Sequence, residues 1–192
     1  MTRPVVGLDP SLTGLGLATP DTLTTISSKP TGDTVAARAE RLVTMADKVA
    51  RLIPESSLVV IEGPAYSRQL GAGHHLSAGL WWVLAVELTH RGHDVIEVPP
   101  TSLKKLATGK GNATKADLRV ALLQRTGIDE RDDNRVDAWW LRCAGLHLVG
   151  NPEALPLPQT NLVALAKLRL LSVAHRDGIA VRVSDLMGGS DS

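Results

Sequence analysis

The chain begins with short runs of apolar residues separated by turn residues, a pattern typical of β-strands. Runs at 5–9, 14–18 and 23–26 predict three strands that follow one another as an antiparallel meander. Further runs at 58–62 and 94–98 predict two buried strands, each bounded by Ser, Gly or Pro. Five strands are therefore expected within residues 5–98.

Segments with helical spacing lie between and after these strands. They predict helices over 34–53, 76–91, 101–107, 133–148 and 161–173, and one that begins after Thr114. Thr114 with Asp117 three residues later resembles a capping box. The 76–91 helix is apolar on nearly all sides, so we expect a core helix first and an interface second. A connector with three prolines spans 151–160, a strand is expected over 179–183, and residues 187–192 are expected to be disordered.

This order of elements predicts an α/β fold, a mixed sheet with helices on its faces. With 192 residues, of which 43% are hydrophobic, the chain can bury the core of one domain. The only cysteine, Cys143, has apolar neighbours and is expected to be a buried structural thiol. Because no apolar stretch reaches the roughly 18 residues needed to cross a bilayer, we expect a cytoplasmic protein.

Acidic residues stand where two predicted strands end. Asp9 closes the first strand and Glu62 the fourth, and a further acidic set begins the 133–148 helix. An isolated carboxylate in apolar surroundings is costly unless a cation or hydrogen bonds compensate. Asp133 and Asp137 are four residues apart, which puts both on one helix face. Together these acids predict one site for a hard divalent cation.

Each acid also has a structural interpretation. Asp132 and Asp133 suit the cap of the helix that follows, and Asp137 suits an ion pair with Arg135 or Arg142. Asp132 lies about 500° around the helix from Asp137, so Asp133 is the preferred partner of Asp137.

Positive charge is concentrated in one segment, although the formal net charge is only +1. Five basic residues lie between 101 and 119, with Asp117 as the single acid: Lys104, Lys105, Lys110, Lys115 and Arg119. We interpret this segment as a candidate phosphate-contacting patch, with a solvated loop as the alternative. Lys115 falls in the first turn of a helix, where backbone N–H groups already favour an anion.

Four segments resemble, in order, the RuvC family of Holliday junction resolvases within the RNase H-like superfamily of nucleases. They are VGLDPS at 6–11, VIE at 60–62, the lysine-bearing segment 98–115, and VDA at 136–138. The resemblance implies an RNase H-like nuclease domain over residues 1–150, with a mixed five-stranded sheet flanked by helices. Residues 151–192 would add the connector, a C-terminal helix and a tail, within the same domain or as dimer support.

The resemblance implies a crossover junction endodeoxyribonuclease, which resolves four-way DNA junctions by paired phosphodiester cleavage in recombination, repair or replication. It implies two Mg²⁺ ions per site, with Mn²⁺ able to substitute, and a homodimer that presents two sites to two opposed strands. A phage-encoded enzyme would suit the short chain. The implied catalytic and metal residues are Asp9, Glu62, Asp133 and Asp137, and the implied strand-positioning residues are Lys104 and Lys115, with Lys105 and Lys110 added from the basic segment.

The chain departs from the family at Asn134, because the family usually has an acid or a histidine three residues before its last acid. Asparagine can ligate through its carbonyl but brings no charge, so Asp133 or Asn134 supplies the third helical ligand. Tyr66 and Arg68 suit contacts with a junction base and phosphate, or an ordinary surface loop. The adjacent histidines at 74 and 75 lack metal-ligand spacing.

Three alternatives stay open. A sugar-kinase or actin-like ATPase also begins with an Asp and Gly/Thr residues after a strand, but such chains are normally longer. A non-catalytic junction-binding module would keep the fold without cleavage, which Asn134 favours. A broader nuclease would act on flaps, forks or hybrids.

Overall fold

The computed structural model describes residues 3–64 and 72–170. The strands are β1 (Val5–Asp9), β2 (Leu15–Ala18), β3 (Leu23–Ile26), β4 (Leu58–Glu62), β5 (Asp94–Val98) and a two-residue β6 (Arg169–Leu170). The helices are α1 (Val35–Ala50), α2 (Ala72–His90), α3 (Pro100–Thr108), α4 (Lys115–Thr126), α5 (Asp133–Leu148) and α6 (Gln159–Leu162), followed by a 3-10 turn at Val163–Lys167.

The strands form one mixed sheet in the order β3-β2-β1-β4-β5-β6. The meander β1-β2-β3 is antiparallel, and β1, β4 and β5 run parallel to one another. The predicted five strands and their flanking helices are therefore confirmed. The additional β6 pairs antiparallel with the outer edge of β5.

Alternating side chains on the central strands face two separate core layers. Val5, Leu58 and Val60 point to the face covered by α3, α4 and α5, whereas Val6 and Val59 point to the face covered by α1 and α2. Asp9 is four residues after Val5, and Glu62 is two residues after Val60. Both acids therefore lie on the α5 face of the sheet.

Helix α5 packs against the backbone of β1 and β2 because glycines face it. A Cβ atom at Gly7 would lie well within 3.0 Å of the Ala138 carbonyl oxygen, and one at Gly16 equally close to the Asn134 carbonyl oxygen. No side chain fits between these strands and the helix. The first turns of α5 consequently lie directly above the end of β1 that carries Asp9.

The predicted helix starts are confirmed where side chains satisfy free backbone N–H groups. The Thr34 hydroxyl accepts a hydrogen bond from the N–H of Ala37 at the start of α1. Thr114 and Asp117 form the predicted capping box of α4, with both reciprocal hydrogen bonds present. Helix α4 therefore begins at Lys115, which places this lysine in its first turn.

The region after 158 differs from the sequence prediction. A continuous helix over 161–173 is wrong, because the chain forms the short α6, a 3-10 turn and then β6. The free edge of β5 offers unpaired backbone groups, and β6 satisfies some of them. Ala164 and Leu165 are buried in the core layer beneath α5. The strand predicted over 179–183 and the tail over 187–192 lie outside the described residues.

Two helices differ in detail from their predictions. Helix α2 begins at Ala72, four residues before the predicted start. The helix predicted over 34–53 ends three residues early as α1, at Ala50. Val35 and Leu52, apolar residues at or beyond its ends, are 81% and 50% exposed.

Cys143 is buried, as predicted, and burial raises the pKa of its thiol to about 12, which disfavours the reactive thiolate. Among the residues that the structure describes, no helix is both long and apolar enough to cross a membrane.

Candidate active site

One cleft collects the ends of two parallel strands and the starts of two helices. Parallel neighbours β1 and β4 finish at the same edge of the sheet with Asp9 and Glu62 as their last residues. The cleft has a volume of about 370 Å³. Its lining residues are Asp9, Ser11, Glu62, Pro100, Leu103, Lys104, Lys115, Leu118, Asn134 and Asp137.

The surroundings of the two strand-end acids raise the pKa of each carboxyl group. Burial, and then the negative charge of Asp137, raise the pKa of Asp9 to about 7. Burial, and then the charge of Asp9, raise the pKa of Glu62 to about 8. The carboxyl groups of Glu62 and Asp9 lie within hydrogen-bonding reach of each other. The two acids therefore interact directly with each other within the cleft.

Asp137 adds a third carboxylate from α5. Burial raises its pKa, Lys115 opposes the rise, and the neighbouring charge of Asp133 adds to it. The Nζ atom of Lys115 lies 3.7 Å from Oδ2 of Asp137, and the lysine side chain is 56% exposed. Lys115 also opposes the pKa rise at Asp9 and Glu62. This lysine is therefore positioned to act on all three carboxylates.

Consecutive polar side chains at the start of α5 make different contacts. Asp132 caps the helix by accepting from the N–H of Asn134, as the capping alternative predicts. Asp133 pairs with Arg119 of α4 at 3.0 Å and is absent from the cleft lining. Asn134, one residue later, lines the cleft beside Asp137. Of the two candidates for the third helical ligand, Asn134 therefore lies in the cleft lining, and Asp133 lies in the ion pair with Arg119.

Asp132 is further fixed by a network on the β3 side of the helix. The Thr25 hydroxyl donates to its carboxylate, and Arg135 lies 3.3 Å from the same oxygen. Burial acts to raise the pKa of Asp132, but these hydrogen bonds outweigh it and lower the pKa. Arg135 is therefore engaged by Asp132 and Glu130, and not by Asp137 as the ion-pair alternative proposes.

The basic segment divides between the cleft and its surroundings. Lys104 and Lys115 line the cleft, whereas Lys105 and Lys110 are exposed outside it. Lys110 lines a neighbouring hollow of about 320 Å³ between α3 and α4. Tyr66 and Arg68, predicted as junction contacts, lie outside the described residues, and His75 is exposed at the start of α2.

One contact at the site was missed from the sequence. Trp81 of α2 donates its indole N–H to the backbone carbonyl of Glu62 at 2.8 Å. A tryptophan within an apolar helix needs a hydrogen-bond partner when it is buried, and this need was the available signal. The partner itself lies 19 positions away and depends on the tertiary fold.

The donor set of the cleft fits a hard divalent cation in chemistry. It offers three carboxylates and the side-chain amide of Asn134, whose oxygens are the ligands that such a cation prefers. Over residues 3–64 and 72–170, no three acidic, histidine or cysteine side chains already lie close enough to form a ligand set. The acids thus share a cleft without forming a complete set of metal ligands.

Comparison with solved structures identifies the fold. The structure of Thermus thermophilus RuvC is similar with a TM-score of 0.57 and 21% sequence identity, over 81% of this chain and 100% of that chain. The chain has the fold of RuvC. T. thermophilus RuvC in complex with a Holliday junction substrate is also similar, with a TM-score of 0.55 and 22% identity, over 74% of this chain and 93% of that chain. The predicted RNase H-like fold is thereby confirmed.

The likeness to RuvC is structural, since no protein-family model and no curated protein matches the chain by sequence. A shared fold hosts many activities, so the fold of RuvC alone does not assign one. The cleft residues carry that argument, and they lie at the strand-end edge where open α/β sheets bind their ligands.

Proposed function

We propose that the chain is a divalent-metal-dependent endonuclease that cleaves branched DNA, with four-way junctions as its leading substrate. The observation that carries this proposal is the convergence of Asp9, Glu62 and Asp137 with Lys104 and Lys115 in one cleft. Carboxylates for a cation and lysines for a phosphate are the two requirements of phosphodiester hydrolysis at such a site. The fold shared with RuvC supports the same class of reaction.

Asp9, Glu62 and Asp137, with the amide oxygen of Asn134, are assigned to hold Mg²⁺, or Mn²⁺ in its place, with two ions per site as the full complement. When bound, the metal activates the attacking water and stabilises the leaving 3′ oxygen. The chain's own contribution is to hold mutually repelling carboxylates together at the end of the sheet. The pKa values of Asp9 and Glu62 are raised first by their removal from water and then by that repulsion.

Lys104 and Lys115 are assigned to the phosphates that flank the cut. Both carry charge into the cleft without any feature that reads a base, so they position the strand and leave sequence choice to other contacts. Lys115 contacts Asp137 across 3.7 Å without DNA, and a phosphate would compete for the same ammonium group. Lys105 and Lys110 extend the charged surface outside the cleft.

A homodimer is the proposed working form. Helix α2 presents an apolar surface on which Trp82 is 63% exposed and Val86 is 51% exposed. A second copy of this chain would cover it, and a two-fold axis would present two clefts to two strands of a junction. We also propose that residues 151–170 belong to the nuclease domain, because Leu165 packs into its core. A cytoplasmic location and a phage origin stay predictions from the sequence.

The test is cleavage of a labelled four-way junction, a flap and a linear duplex, each with Mg²⁺ or with EDTA. Wild type is compared with Asp9→Asn and with Asp21→Asn, a matched change at an exposed turn. Paired symmetric cuts in the junction that need both metal and Asp9 establish a resolvase. Preferential flap cutting establishes the broader nuclease instead.

A non-catalytic junction-binding module is the second candidate, and Asn134 is the observation that favours it. Asn134 brings no charge to the cleft, and the neighbouring Asp133 is engaged by Arg119. The cleft therefore has three carboxylates where the resemblance implies four. Tight junction binding in EDTA, with no cuts under any metal, would establish this candidate.

A further inference from the structure

The end of β4 is held from two sides just where it carries Glu62. On one side the N–H of Gly63 donates to the carbonyl of Val98 at 2.9 Å. On the other side the indole N–H of Trp81 donates to the carbonyl of Glu62 at 2.8 Å. Trp81 is only 4% exposed, so this hydrogen bond is shielded from water. The peptide that follows Glu62 therefore has a fixed orientation.

The peptide after Glu62 needs a fixed orientation because the carboxylates of the cleft repel one another. Asp9 and Glu62 repel each other when both are ionised, and each also feels the charge of Asp137. Glu62 is the last residue of its strand, and Gly63 and Pro64 follow it without regular structure. A strand end has fewer ladder hydrogen bonds than its middle, so an additional contact there resists rotation of the peptide.

We propose that Trp81 is a positioning residue that holds the carboxylate of Glu62 in the orientation needed to bind the divalent cation with Asp9. The proposal rests on the proposed function, because it assigns Trp81 a role at the same metal site. It adds a contact from α2, a helix on the opposite face of the sheet from the cleft. Trp81 would act on a bound metal through the backbone of Glu62, whose carbonyl accepts its indole N–H.

Ring packing alone is the alternative role for Trp81. Its indole makes an edge-to-face contact with Trp82, with ring centroids 4.9 Å apart. Trp81→Phe keeps an aromatic ring in the core and removes the N–H donor, so it separates the hydrogen bond from much of the packing. Trp139→Phe is the matched control, because Trp139 makes the same kind of contact with Trp140 at 5.0 Å.

The first experiment measures Mn²⁺ binding by calorimetry without DNA, on wild type, Trp81→Phe, Trp139→Phe and Asp9→Asn. Loss of a group that orients a metal ligand typically weakens binding by 10- to 100-fold, so we expect roughly tenfold weaker binding for Trp81→Phe. Trp139→Phe should stay within about twofold of wild type, because the ring of Trp139 contacts Trp140, which is not an assigned ligand. Circular dichroism and a melting curve establish that each variant is folded. Wild-type affinity in folded Trp81→Phe would overturn the proposal.

A second measurement needs no change at Trp81. In ¹⁵N-labelled wild type, the indole N–H signal of Trp81 should move on addition of Mg²⁺, because its acceptor is the carbonyl of a metal ligand. The signal of Trp82, 63% exposed and next in the chain, is the internal reference and should stay in place. A Trp81 signal that does not move at saturating Mg²⁺ would overturn the proposal even if Trp81→Phe fails to fold.

Failure of this proposal and failure of the proposed function give different results. If wild type binds Mn²⁺, Asp9→Asn does not, and Trp81→Phe binds normally, only the role of Trp81 falls. If wild type binds neither Mn²⁺ nor Mg²⁺, the metal-dependent function falls, and the role of Trp81 falls with it.

Discussion

Replacing Asp9 by Asn should make the metal-free protein more stable, although Asp9 is central to the proposed activity. Asp9 is 7% exposed, and its pKa rises from 3.8 to about 7 on folding. Ionising it in the folded protein therefore costs roughly 4 kcal/mol, at about 1.4 kcal/mol for each pH unit between the two values. Asparagine keeps the size of the side chain and removes that charge.

The gain should be smaller than the full cost, because a buried amide also needs hydrogen-bond partners. Burying the amide costs about 2 kcal/mol, at the middle of the usual range, so the free energy of unfolding should rise by a net value of about 2 kcal/mol. For a chain of 192 residues, that corresponds to a melting temperature higher by about 4–8 °C. Loss of the Asp9 charge should also ease the ionisation of Glu62 and add to the gain.

The sign of the pH dependence follows from which state holds more protons. A folded-state pKa raised above the unfolded value means that the native protein binds more protons between about pH 4 and pH 7. Wild type therefore loses stability as the pH rises through this window. The advantage of Asp9→Asn should be full near pH 8 and should shrink steadily towards about pH 5.

The assay is thermal unfolding in EDTA at several pH values, with Asp21→Asn as the control for removing an exposed carboxylate. Added Mg²⁺ should raise the melting temperature of wild type and leave that of Asp9→Asn nearly unchanged, since only a bound ligand stabilises the native state. An Asp9→Asn protein that is no more stable than wild type near pH 8, or whose advantage does not depend on pH, would refute the reasoning.

Three further predictions concern the helices and the lysines. Thr114→Ala removes the α4 cap and should lower the free energy of unfolding by about 1 kcal/mol in urea denaturation, whereas an unchanged value would contradict the cap. Gly7→Ala should lower the free energy of unfolding by more than about 3 kcal/mol, because its Cβ meets the backbone of α5. Gly32→Ala should leave the free energy of unfolding nearly unchanged in the same measurement. Lys104→Ala and Lys115→Ala should each reduce the salt slope of junction binding by about one, measured by anisotropy; unchanged slopes would remove them from the phosphate contacts.

Much of the site was predictable because the end of a strand can be read from a short segment of sequence. The pairing of the strands then brings distant residues together. An acid at the end of each of two buried apolar runs predicts Asp9 and Glu62 at strand ends. A parallel pairing of those strands then brings the two acids to one edge. The capping box at Thr114 likewise needs only four consecutive residues, and it places Lys115 in the first turn of α4.

The sequence alone did not predict which side chain at the start of α5 faces the cleft. Three polar residues in a row can each cap the helix, form an ion pair or enter the cleft, and the choice depends on contacts from distant segments. Thr25 of β3 engages Asp132, and Arg119 of α4 engages Asp133. Those contacts leave Asn134 to the cleft, and neither partner is close in sequence.

The same limit applies to β6 and to Trp81. Residues 161–173 have helical spacing, but part of this segment instead pairs with the free edge of β5. Trp81 has the periodicity of a core residue, and its hydrogen bond to Glu62 joins two elements that only the folded sheet brings together. Local pattern predicts which residues are buried and does not predict their polar partners.

The residues that line the cleft range from position 9 to position 137 in the chain, and this spread has a consequence during synthesis. The first strand leaves the ribosome long before α5, yet both are needed to complete the cleft, and contacts this distant form late in folding. A nascent chain that has reached Lys115 still lacks Asn134 and Asp137. If the proposed function holds, the growing polypeptide is expected to be inactive until the ribosome has passed Asp137.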